Sequence, residues 1–157
     1  MGKDIANTIR RVMLPEDVEA ALINFRTPST WPKWNRNANA MMATKAESLD
    51  EGDHVATHQV IKGSLIEVRW LVSKIRNGEN FTEIILETDG MSRNERPIGK
   101  GLKNLKICVT FLSEEGGGIE IHSSCSISSL MVIFANKLRK YMKKQAEDLL
   151  DDLEASI

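Results

Sequence analysis

The last thirty residues constrain the fold most. Leu130, Phe134, Leu138, Met142, Ala146, Leu149 and Leu153 recur at helical spacing and mark one face for about seven turns. The opposite face carries Asn136, Lys140, Lys143, Glu147 and Asp151. The tail acids Glu147, Asp148, Asp151, Asp152 and Glu154 stand at the negative end of the helix dipole, where they are unfavourable. Ser128 or Ser129 suits the N-cap. Such a helix must be held by burying its apolar stripe, which predicts a long contact with a broad partner surface.

The middle of the chain supplies that surface by changing period. Residues 64–75 alternate, with Ile66, Val68, Trp70 and Val72 on one face and Glu67 and Arg69 on the other. Residues 81–88 form a second strand, entered through the turn signal Asn77-Gly78-Glu79-Asn80. Leu105, Ile107, Val109 and Phe111 mark a third. The glycines Gly116 to Gly118 lead into Ile119, Ile121, Ser123, Cys125 and Ile127 on a fourth. Weaker strand candidates are 40–46 and 54–62, separated by Asp50-Glu51-Gly52-Asp53, and 4–13 reads as a partly polar first strand. A helix then starts at Pro15, with Glu16 and Asp17 at its positive end and a stripe of Val18, Ala21, Leu22 and Phe25. Pro28 and Pro32 end it and force a short second segment carrying Trp31 and Trp34. The expectation is one α+β domain over residues 1–157. A curved antiparallel sheet of about six or seven strands carries two short helices and a long C-terminal helix.

The pattern Pro15-x-x-Val18-x-x-x-Leu22-x-x-Phe25, then Trp31-Pro32-x-Trp34-Asn35, then Glu51-Gly52-Asp53 before a strand occupies the first third of the chain. With the Gly116 to Gly118 hairpin and the final helix, it resembles the START-like helix-grip superfamily, SRPBCC. That group includes START domains, birch-pollen-type allergens and the polyketide cyclase/dehydrase proteins. The resemblance implies a cavity between the concave sheet and the long helix. It also implies binding or transport of a small hydrophobic ligand: a lipid, quinone, polyketide or aromatic. The alternatives carried by the same fold are a cyclase/dehydratase-type enzyme and a regulator acting on a protein partner.

Trp70, Phe111, Met131, Phe134 and Met142 are the candidates for the cavity wall, and the methionines suit an irregular ligand. Ser123 and Cys125 share the apolar face of their strand and are candidate polar points inside. Plain core packing is the competing reading for each.

Other chemistry is weaker. His54 and His58 have the spacing of a helical zinc pair, but on a strand they stand about 13 Å apart, too far for one ion. No metal or cofactor is expected. His122 alternates to the solvated face, and Glu67, Arg69, Glu83 and Glu87 read as cross-strand pairs on an exposed face. Residues 89–101, polar and punctuated by glycine, read either as a mobile flap or as a plain hairpin connection. Lys137, Arg139, Lys140, Lys143 and Lys144 give the final helix a basic middle that suits a membrane surface or an acidic partner, but the adjoining acidic tail largely cancels it and a solvated face is the expectation. A net charge of −1 argues against nucleic acid. The longest apolar run, 130–135, is too short to cross a bilayer, so integral membrane association is not expected. The start Met1-Gly2-Lys3-Asp4-Ile5 has no apolar targeting run behind its charges, and Cys108 and Cys125 show no metal or disulfide framework, so a cytoplasmic location is expected.

Overall fold

The computed structural model describes residues 2–38, 40–43 and 47–157. Strand β1 (Lys3–Val12) is followed by helix α1 (Pro15–Arg26), a 3-10 turn (Pro28–Thr30) and the short helix α2 (Trp31–Trp34). The strands then run β2 (Ala40–Ala43), β3 (His54–Ile61), β4 (Ser64–Asn77), β5 (Phe81–Arg93), β6 (Arg96–Ile98), β7 (Leu102–Leu112) and β8 (Gly118–Ile127). A 3-10 turn (Ser129–Phe134) enters the C-terminal helix α3 (Ala135–Ala155). The fold is α+β: an antiparallel sheet ordered β1-β8-β7-β5-β4-β3-β2, with β6 added on β5, and α3 packed on it. It is a helix-grip. Of the strand candidate 40–46, residues 40–43 are β2 and 44–46 lie outside the described residues.

The first helix buries the face its spacing marks, through Val18, Ala21 and Phe25. Helix α1 ends at Arg26, Pro28 opens the 3-10 turn and Pro32 lies in the first turn of α2, and Trp31 folds back on α1. Its ring lies 5.3 Å from Phe25, and its indole N–H donates to the Phe25 carbonyl at 2.9 Å. That bond satisfies the polar end of a ring that is otherwise buried.

Three irregularities shape the sheet. The register of β4 on β5 shifts between Arg69 and Trp70 and again between Val72 and Lys74. The β7–β8 register shifts between Lys103 and Lys106. Each shift moves the side-chain alternation by one position, so Trp70 and Met91, Val72 and Ile75, and Leu102 and Leu105 all keep to the inner side. At the first bulge Gly90 has φ of +130°, and any side chain there would run into the Arg69 guanidinium. Asp89-Gly90 therefore bends a strand and does not end it. The segment 89–101 is accordingly mostly sheet: β5 runs on to Arg93, turns through Asn94-Glu95, and returns as β6.

The C-terminal helix starts later than its stripe predicts. Residues 129–134 wind as a 3-10 turn, at about three residues per turn, which rotates Leu130 and Phe134 off the buried face. Leu130 is 87% exposed, Ile133 82% and Phe134 53%. From Ala135 on, Met142, Ala146, Leu150 and Leu153 are buried. The acids at the tail are held by partners from other elements, which offset the helix dipole. Arg11 of β1 reaches Asp151 at 2.7 Å, and Arg36, just past α2, reaches Asp152 at 2.8 Å and Asp148 at 3.4 Å.

Candidate functional site

Helix α3 packs on β1 and β8, at one end of the sheet. The other strands curve past it and leave a cavity of about 400 Å³ between them and the helix. Its wall is built from the inward-facing alternation of four strands: Ile66, Val68 and Trp70 of β4, Leu86 and Met91 of β5, and Leu102, Leu105 and Ile107 of β7, with Ile121 of β8. Helix α3 contributes Leu138, Met142, Ala146 and Leu149, which repeat at three- and four-residue spacing on one face. Phe25 and Trp31 close one side.

The polar groups of the lining are neutral. Thr57 and Gln59 come from β3, Asn35 and Asn37 from the segment after α2, and Tyr141 and Gln145 from α3. The Asn37 side-chain amide donates to Gln145 Oε1 at 2.9 Å, and the Asn37 backbone N–H donates to Asn35 Oδ1 at 2.9 Å. The segment is fixed to the helix beside this contact. Arg36 donates through its guanidinium and its backbone N–H to the Asp152 carboxylate, and the guanidinium bond, with the negative charge of Asp152, holds its own pKa above the ordinary value. Among the described residues that line the cavity, Tyr141 is the one titratable group; it is half-buried, and that partial desolvation raises its phenol pKa.

The expected wall residues divide. Trp70, Ser123 and Met142 line the cavity. Phe111 lies behind the lining, 1% exposed, with its ring 5.6 Å from that of Phe25. Cys125 is buried one inward position beyond Ser123, with its thiol 3.7 Å from Met142 Sδ. Met131 packs in the adjoining apolar cluster, over Gly101, and Phe134 is exposed on the 3-10 turn. The polar lining of Asn37, Gln59, Tyr141 and Gln145 was missed. Its signal was available on α3, because 141 and 145 border the 138–142–146–149 stripe by one position. Asn35 sits inside the Trp31-Pro32-x-Trp34-Asn35 pattern.

The other charged candidates fall outside the cavity. His58 and Glu67 pair across β3 and β4 at 2.8 Å, and Arg69 donates to Glu67 at 2.6 Å on the same outer face. The Arg69 bond, with His58 behind it, holds the Glu67 carboxyl below its usual range. His54 lies 3.6 Å from Asp89, and His122 is exposed beside Thr8. No group of three or more His, Cys, Asp or Glu is placed to hold a metal ion among the described residues. Burial, with Glu83 nearby, pushes the Cys108 thiol up to about 11, and burial also raises Cys125. Among the described residues no helix is long and apolar enough to cross a membrane.

No family model and no curated protein matches the sequence. Solved structures match in shape. Ara h 8.0201 superposes with a TM-score of 0.67 at 10% identity, over 98% of this chain and 97% of its own. A START superfamily protein from Mycobacterium smegmatis gives 0.63 at 9%, over 98% and 96%. The di-domain ARO/CYC StfQ of the steffimycin biosynthetic pathway gives 0.65 at 11%, over 99% of this chain and 50% of that one. At these identities the likeness establishes the fold alone: this is the helix-grip architecture that the sequence pattern implies.

Proposed function

We propose that the chain binds one small, neutral, largely apolar molecule in the cavity between α3 and the sheet, for carriage or sensing. The observation that carries this reading is the lining itself. A space of about 400 Å³ is within the size range of small-molecule sites, and it is walled by aliphatic, aromatic and thioether groups with a few neutral amides and hydroxyls. With no charged side chain among the described lining residues, an ionised ligand group would lose its hydration without compensation. A neutral ligand bearing a carbonyl or hydroxyl near Gln145, Asn37 or Tyr141 fits better. A lipid, quinone, polyketide or aromatic meets that description. The cyclase/dehydratase reading needs a general acid or base within reach of the ligand, and the phenol of Tyr141 is a weak candidate while its pKa is raised. A reducing, cytoplasmic setting suits the two free thiols.

The test is native mass spectrometry of the purified chain, with denaturing extraction of whatever co-purifies. A stoichiometric neutral adduct is expected, lost in Val68→Trp, where the larger ring fills the cavity. A clean apo mass that does not shift with added fatty alcohols, quinones or flavonoids overturns the reading.

A further inference from the structure

The 3-10 turn between β8 and α3 holds a run of apolar residues, Leu130 to Phe134, whose side chains mostly protrude into solvent instead of joining the core. The turn is not a stray loop. Ser128 N–H donates to the Gly101 carbonyl at 2.9 Å, and Met131 packs over Gly101, so the tip is braced against the turn between β6 and β7. Met131 also joins the cluster containing Leu102, Leu105 and Leu138, three residues that line the cavity. The protruding tip is thus continuous with the cavity wall.

Charge is segregated along the two spans that meet at it, with Asp4 of β1, bonded to Ser126 at 2.7 Å, as an acid beside them. No Asp or Glu occurs between Glu95 and Glu114, or between Glu120 and Glu147. Those two spans contain Arg96, Lys100, Lys103 and Lys106, and Lys137, Arg139, Lys140, Lys143 and Lys144. Lys106, Lys143 and Lys144 have acidic partners. Lys100, Lys103, Lys137 and Lys140 are exposed and form no ion pair with a described residue. They lie on the two segments that meet at the tip. The sequence taken alone favoured a solvated basic face, because the acidic tail balances it; the fold turns most of that tail toward Arg11 and Arg36.

We propose that this tip docks on a lipid bilayer surface bearing anionic headgroups, with Leu130, Ile133 and Phe134 entering the interface and the four lysines meeting the headgroups. Leu130 and Ile133, three residues apart on the 3-10 turn, protrude on one side and suit insertion into a fluid interface, while unpaired lysines beside them supply the long-range attraction. The contact goes beyond the ligand reading and does not depend on it.

The test is co-sedimentation of the full chain with phosphatidylcholine vesicles, with and without phosphatidylserine, in low and high salt. Binding is expected with phosphatidylserine in low salt and should weaken in high salt. Leu130→Ser/Ile133→Ser and Lys137→Gln/Lys140→Gln should each weaken it about tenfold or more. Both pairs lie at the surface, and unchanged circular-dichroism melting would show that the fold is kept. Failure of the natural chain to bind, or binding that depends on the lysines but not on Leu130 and Ile133, overturns the proposal. A dimer in sedimentation velocity that Leu130→Ser/Ile133→Ser converts to monomer also overturns it, by assigning the tip to a second copy. Because the readout is vesicle binding, a clean apo mass in the ligand experiment leaves this result intact.

Discussion

Replacing Arg36 with methionine removes the cation that holds two acids of α3, and the cost follows from their burial. The side chains of Asp148 and Asp152 are each 12% exposed, whereas that of Arg36 is 51% exposed. Stranding a fully buried carboxylate costs roughly 3–5 kcal/mol. Three features lower that figure here: Arg36 is half in water, Lys144 still reaches Asp148 at 3.1 Å, and the backbone N–H of residue 36 still donates to Asp152. The expected loss is therefore smaller than for a fully buried acid, seen as a lower urea midpoint and a melting temperature lower by a few degrees. Urea unfolding followed by circular dichroism measures it directly. Adding Asp152→Asn to Arg36→Met removes one stranded charge and should recover about half of the loss, although Asp152→Asn alone should destabilise. The reasoning fails if Arg36→Met lies within about 0.5 kcal/mol of the natural chain, as a screened surface pair would. It fails equally if Asp152→Asn makes the Arg36→Met protein still less stable.

Two further outcomes test other parts of the structure. Both polar atoms of the Asn7 side-chain amide are buried without a partner, on the face of β1 that also carries Ile5 and Ile9. Asn7→Leu should therefore raise the urea midpoint by an amount equivalent to about 1–2 kcal/mol, and a lower midpoint would mean that the amide is satisfied by a bound water. A Cys108 pKa raised from 9.0 to about 11 leaves about a hundredfold less thiolate near neutral pH, so iodoacetamide should modify the native chain slowly and the urea-unfolded chain quickly. Equal rates in the two states would refute the burial of that thiol.

The helix-grip order was legible because it rests on period. The alternation of β4, β7 and β8 and the helical recurrence of α1 and α3 are local properties of the chain, and the sheet and helices follow them. Legibility stopped where a local signal had a non-local use. Asp89-Gly90 has turn chemistry, yet it forms a bulge because β4 remains paired on both sides of it. The run 129–134 fits the apolar stripe of the final helix, but it winds as a 3-10 turn braced on Gly101 and turns Leu130 and Phe134 outward.

The candidate site shows the same division. That Trp70, Ser123 and Met142 face inward was set by sequence, since alternation and helical spacing fix which side of its own element each residue occupies. Whether an inward residue meets a neighbour or a cavity depends on how far the sheet curves from α3, and that is decided by bulges, by the packing of α3 on β1 and β8, and by the Arg36 clamp. Phe111 faces inward as expected and meets Phe25 rather than open space. The sequence by itself determined the elements and their inner faces; tertiary structure alone decided where those faces fail to touch, because a cavity is a property of two surfaces at a distance and no single segment encodes that distance.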